Sequence, residues 1–138
     1  TREISLLDTV YVVGCALGHE PILTEGRITS MSDEVDSVSY WMSDAQIIYG
    51  NSGGAVFHGE RTDFIGIPSM VAVAGWGTPV THMGYFSDIE RIYKWLKDEC
   101  FHFLYDEAFS PEQCAELREA KRTRELEMYK RQIPEVEK

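Results

Sequence analysis

At 138 residues with 43% apolar side chains, the chain has room for one domain with a modest core, and it is too hydrophobic to be disordered. A formal net charge of −10 argues against nucleic acid as a main partner, because neutralising phosphates needs clustered Lys and Arg. No window is long and apolar enough to cross a bilayer, and the three cysteines, Cys15, Cys100 and Cys114, are odd in number with no metal-type spacing.

In chain order, Ile4–Leu7 and Thr9–Val13 read as strand from their β-branched and aromatic content, with Asp8 at a turn between them. A loop follows over Gly14–Pro21, carrying His19 as an exposed polar residue. Ile22–Met31 is again strand-like, and Gly26 within it predicts a bulge or tight bend. The acidic stretch Ser32–Ser37 reads as a hairpin turn, leading to a strand over Val38–Met42. Ala55–Phe57 and Asp63–Ile67 alternate across the polar turn His58–Thr62, which predicts a hairpin with His58 exposed at its tip. Pro68–Ala74 is apolar and β-prone, Gly75–Pro79 is turn-rich, and Val80–Phe86 makes a last strand, with His82 read as a core or rim histidine.

Two helices close the chain. Ser87-Asp88-Ile89-Glu90 has the capping-box pattern, and Ile89, Ile92, Tyr93 and Leu96 recur at helical spacing, so an amphipathic helix is expected over Ser87–Glu99. Ser110-Pro111-Glu112-Gln113 starts a second helix, with Ser as N-cap and Pro at the first helical position, running to about Arg131 before Ile133-Pro134 ends it. Its charges leave a thin apolar stripe of Cys114, Leu117, Leu126 and Met128. Such a helix is either a solvated face or, through residues 110–131, a docking element for a partner.

The stretch that carries chemistry is Ile47-Ile48-Tyr49-Gly50-Asn51-Ser52-Gly53-Gly54-Ala55-Val56-Phe57. A serine hydroxyl is a poor nucleophile unless a base takes its proton and nearby donors stabilise the oxyanion its attack creates. Glycines on both sides of Ser52 permit unusual φ values and let a substrate carbonyl approach the main chain. The N–H groups of Gly50 and Ser52 are then candidates to hold one oxygen, with Asn51 shaping the loop. Asn-Ser-Gly-Gly is also ordinary turn chemistry between strands.

Gly50-Asn51-Ser52-Gly53-Gly54 resembles the nucleophile loop of trypsin-like serine proteases, and the Ser43-Asp44-Ala45 lead-in is closest to the HtrA type. Val10–Gly18 followed by Thr24–Ile28 is similar to the strands before that serine, and Phe64–Ile67 and Met83–Phe86 to those after it. The resemblance implies a mainly β, chymotrypsin-like antiparallel barrel, the C-terminal barrel of a two-barrel fold, over residues 1–99, with a helical charged extension over 100–138. It implies a serine endopeptidase acting through an acyl-enzyme on Ser52, with peptide or protein as substrate and no metal or organic cofactor. Gln46, six positions before Ser52, would lie at the base of the primary specificity pocket, where its neutral side chain predicts a preference for an uncharged residue. Tyr49 would stand at the rim, and Met83, Gly84 and Tyr85 would wall the substrate site. Asp44 would support the loop.

The family's histidine base and its aspartate belong to an N-terminal barrel, and nothing before Ser52 resembles their settings. That barrel is therefore expected as an upstream segment or a separate chain, with Thr1 newly exposed by cleavage if the chain is a processed product. The alternative is a non-catalytic, protease-fold binding or assembly module. The odd cysteine count and the lack of a visible signal segment favour an intracellular or virion-associated setting.

Overall fold

A computed structural model describes residues 3–60 and 62–132; Thr1, Arg61 of the turn His58–Thr62, and the helix stop at Ile133-Pro134 lie outside the described residues. Six strands, β1 (Thr9–Gly14), β2 (Ile22–Val35), β3 (Val38–Ser43), β4 (Ala55–His58), β5 (Phe64–Ala74) and β6 (Thr78–Asp88), close into a barrel in the order β1-β2-β3-β6-β5-β4. Every pairing is antiparallel, and closure is made by β4 returning to β1, with Val10 opposite His58 and Val13 opposite Ala55.

Strand alternation decides what fills the interior. On β1, Val10, Val12 and Gly14 point inward while Thr9, Tyr11 and Val13 do not. Val10 and Val12 join Ile28, Val56, Ile65 and Phe86, and Ala45 and Ile47 from the segment after β3 complete the core. Each of the larger side chains contributes about 1.5–3 kcal/mol by leaving water, more than any single surface bond in the molecule.

The structure departs from the sequence reading in several places. Ile4–Leu7 is a turn and not a strand. The Ser5 amide donates to Asp8 Oδ2 at 2.9 Å and the Asp8 amide to Ser5 O at 3.2 Å, and Leu7 takes a φ of 68°. An aspartate able to bond its own neighbours outweighs strand propensity here. β2 continues through the acidic stretch to Val35, so the turn shrinks to Asp36-Ser37, both with the positive φ (51° and 62°) of a tight two-residue hairpin. Gly26 carries no bulge, because its register with β1 is unbroken and the irregularities fall between Ile28 and Asp33. The glycine serves a close approach instead: backbone atoms of Ala45 occupy the place its Cβ would take.

His58 is likewise not at an exposed tip. It shares the inward face of β4 with Val56, is 2% exposed, and sets Nε2 3.2 Å from Asp8 Oδ2. β5 is one strand through Pro68, with a register shift between Pro68 and Met70. At such an irregularity the missing N–H of proline is tolerated.

The first helix, α1 (Ile89–Asp98), is capped by Asp88 and not by Ser87: Asp88 Oδ1 accepts the Arg91 N–H at 3.0 Å. The second, α2 (Pro111–Gln132), starts as the sequence predicts. Gln113 N–H donates to Ser110 Oγ at 3.2 Å and Ser110 N–H to Gln113 Oε1 at 2.8 Å.

The chain divides into two compact units, Thr1–Ile92 and Tyr93–Lys138. Within the second, Trp95 stacks on Phe101 and His102 on Phe109, and the Arg118 guanidinium lies 4.5 Å from the Phe101 ring centre. Lys121 Nζ donates to Asp98 O and to Glu99 Oε1, and the Glu99 bond holds the lysine above its usual pKa. All three cysteines are free thiols.

Because Ala45 lies directly over Gly26, Gly26→Ala is expected to destabilise the barrel by about 1–3 kcal/mol. A shift in the denaturant midpoint with an unchanged slope checks this.

Candidate active site

The segment from the end of β3 to the start of β4 is fixed at every few residues. Ser43, buried, accepts the Ala45 N–H on Oγ at 3.0 Å, and Asp44 Oδ1 accepts the Arg27 N–H at 2.6 Å. Asp44 thus ties the loop to β2. Ile47 donates its N–H to Thr81 O at 3.2 Å and lays its side chain over Gly84, where a Cβ would collide with it.

Asn51 is the hinge of the loop. It is 1% exposed, its Oδ1 accepts the Ile48 N–H at 3.0 Å, and its own N–H donates to Ile48 O at 3.0 Å. Two opposed bonds between the same pair of residues close a turn around Tyr49 and Gly50. Gly50, with a φ of 99°, faces Cys15 O so closely that no side chain fits, and Leu17 N–H donates to Tyr49 O at 2.7 Å.

These restraints leave Ser52 exposed just ahead of β4. Its Oγ donates to Ser69 O of β5 at 3.0 Å. The backbone donors around it divide cleanly. Asn51, Gly53 and Gly54 donate to Ile48 O, Pro68 O and Asn51 O, whereas among the described residues the N–H groups of Gly50 and Ser52 have no acceptor. An oxyanion site requires two such preorganised donors beside the nucleophile.

A pocket of about 180 Å³ opens beside Ser52. Ile47, Ile48 and Tyr49 form one side, and Ser69, Met70 and Val71 of β5 form the other. No charged side chain lines it, so a neutral side chain suits it better than Lys or Arg.

The structure therefore brings together Tyr49, Gly50, Asn51 and Ser52 and leaves the other sequence-derived candidates elsewhere. Gln46 is exposed, accepts Thr24 Oγ1 on its carbonyl at 3.0 Å, and does not line the pocket. Gly84 is buried beneath Ile47, Tyr85 meets Tyr40 edge-on at 6.4 Å, and Met83 is half-buried on β6; none of the three lines the pocket beside Ser52. The residues that sequence reasoning missed are Ser69, Met70 and Val71. Their only local signal is an apolar run after Pro68, which says nothing of what it faces.

None of the four histidines bonds Ser52 or lines its pocket. His19 and His82 are exposed, and His102 belongs to the second unit. His58 sits at the far end of β4, about 10 Å along the strand from Ala55 at a rise of about 3.3 Å per residue, with its ring turned to Asp8.

The comparisons with known proteins fit this geometry. A family model described as a trypsin-like peptidase domain matches residues 1–67. Among solved structures, an HtrA-type protease, AlgW, with a decapeptide superposes with a TM-score of 0.60 at 21% identity, over 69% of this chain and 30% of that one. The same protease with a tripeptide gives a TM-score of 0.61 at 21% identity, over 69% and 32%. The chain thus spans less than a third of the length of either structure. No curated protein matches it. At these identities the likeness shows the fold.

Asn51→Ala removes the acceptor of a part-buried amide and is expected to cost about 1–3 kcal/mol locally. Faster hydrogen exchange at the Ile48 amide, with the exchange of Val12 and Val56 unchanged, checks that the loss is confined to the loop.

Proposed function

Because the chain has the trypsin-like, HtrA-type barrel, we propose that it is the serine-bearing barrel of a serine endopeptidase, with Ser52 as the nucleophile. The observation that carries this reading is the exposed Ser52 at the mouth of an uncharged pocket, beside two backbone N–H groups, of Gly50 and Ser52, that have no acceptor among the described residues. Acyl transfer needs that combination, and a plain turn between strands does not.

In this reading, Ser52 Oγ leaves Ser69 O and attacks the scissile carbonyl while a base takes its proton. The negative charge that forms on the carbonyl oxygen is held by the Gly50 and Ser52 amides. Asn51 keeps them in place through its bonds to Ile48. The amine leaves with a proton, and water then releases the acyl group from Ser52. The imidazole and its orienting carboxylate come from outside the described residues, on an upstream segment or a separate chain. The substrate is a peptide or protein presenting a neutral side chain to the pocket between Tyr49 and Met70, with Gln46, Met83, Gly84 and Tyr85 at a greater remove.

A second reading, a binding module that keeps the fold without the chemistry, is favoured by one observation: the Ser52 hydroxyl bonds a carbonyl and no imidazole. A fluorophosphonate separates the two. Stoichiometric labelling of the natively isolated protein, lost in Ser52→Ala, is expected for the enzyme, and intact mass of every chain present identifies the carrier of the base. Absence of an adduct where a control protease labels fully would sink the catalytic reading.

A further inference from the structure

Of the described residues of α2, only Cys114 is buried and only Arg118 and Lys121 are half-buried; the others are exposed. These three recur at i, i+4 and i+7, so the helix rests on its own unit by one narrow stripe. Both cations are used there. Arg118 Nη1 donates to Cys100 O at 2.9 Å, and Lys121 Nζ donates to Asp98 O at 3.0 Å and Glu99 Oε1 at 2.8 Å. From Arg122 to Gln132 every residue is exposed. Helices in proteins are held mainly by a packed face, and these last three turns have none among the described residues. The helix also lies outside residues 1–67, which the trypsin-like family model matches.

Beside the packed stripe runs a groove of about 470 Å³, with Ala108 and Phe109 on one side and Gln113, Glu116, Leu117 and Ala120 of α2 on the other. Met128, 60% exposed, lies on the same side of the helix as Leu117, because eleven residues make about three full turns and about 17 Å. The two ends of this side differ in charge. Glu116 flanks Leu117, whereas Arg124 and Arg131 flank Met128. The helix as a whole repeats the pattern. With Arg118 and Lys121 spent, its first half is left with Glu112, Glu116 and Glu119, and its second half has Arg122, Arg124, Lys130 and Arg131 against Glu125 and Glu127. The helix dipole acts within the terminal turns, so it accounts for Glu112, Lys130 and Arg131 but not for Glu116, Glu119, Arg122 or Arg124.

We infer that the occupant of this groove is α2 of a second copy of the chain, lying antiparallel, with Met128 of each copy seated against Leu117 and Phe109 of the other. The charges select this partner and this direction. A parallel copy sets Glu116 on Glu116 and Arg131 on Arg131, and like charges across a contact are costly. An antiparallel copy that brings Met128 to Leu117 also brings Arg131 to Glu116, and it lays the acidic half of each helix along the basic half of the other. The contact is self-complementary and closes on two copies, since each supplies one groove and one methionine. Methionine suits the role because its flexible thioether fills an irregular gap. The inference does not depend on the chemistry at Ser52.

Sedimentation velocity over a concentration series, on the natively isolated protein with every co-purifying chain retained, is expected to find two copies of this chain per particle. Charge reversal tests the direction. Glu116→Lys and Arg131→Glu each set like charges face to face twice, by symmetry, and each is expected to weaken self-association about tenfold. The double variant Glu116→Lys/Arg131→Glu opposes unlike charges again and is expected to recover the lost affinity. Met128→Asp puts a charge into the groove and is expected to leave single copies with the helix content, read by circular dichroism, unchanged. One copy per particle in the unaltered protein overturns the inference. So do single charge variants that associate as tightly as the unaltered chain, a double variant no tighter than either single one, or a Met128→Asp variant that still pairs.

Discussion

Closure of the sheet through the β1–β4 pair is the constraint on which everything else in the first unit depends. β4 has only four residues, Ala55–His58, and is held on one side by β1 and on the other by β5. A strand that short cannot stand by itself. Pinned on both sides, it fixes the chain entering it, and that chain is Gly53-Gly54 immediately after Ser52. Backbone approaches reinforce the position: Gly54 lies against Val13 O and Gly14 against Asn51, with no space for side chains. The loop bearing the serine is thus an extension of the barrel wall and not a free excursion.

That rigidity is what the chemistry of a serine nucleophile demands. Stabilising a developing oxyanion depends on donors already in place, because reorganising them during the reaction would cost what they return. Asn51 holds Ile48 with its side chain and its backbone together, and among the described residues the neighbouring amides of Gly50 and Ser52 have no acceptor. The glycine at position 50 is required by both a positive φ and the contact with Cys15 O.

The same barrel separates its polar groups by end. At one end lie Ser52 and its uncharged pocket; at the other, the buried His58 faces Asp8. A histidine beside an aspartate has the composition of a base with its orienting carboxylate, yet the length of β4 keeps the pair from the serine. In this chain Asp8 gives the Nε2 of that inward-facing ring a partner, while the buried Nδ1 has none among the described residues.

The sequence by itself determined the strands with clear alternation, the glycine-flanked serine and the capped start of α2, because these are written in patterns that span only a few residues. Ser52, Gly50, Asn51 and Tyr49 could be named together for the same reason: they are neighbours in the chain. What only the tertiary structure decided was everything set by which strand lies beside which. Phe64–Ala74 reads alike whether or not a fourth strand covers its far half, so the role of Ser69, Met70 and Val71 as the pocket wall stayed invisible. The parity of His58 on β4 turned a residue expected at a polar tip into a buried one. Gly26 was legible as a special position but not for its real reason, which is a backbone crossing over it from Ala45, nineteen positions away. Hydrophobic periodicity reports which face of an element is buried; it carries no information about the partner that buries it.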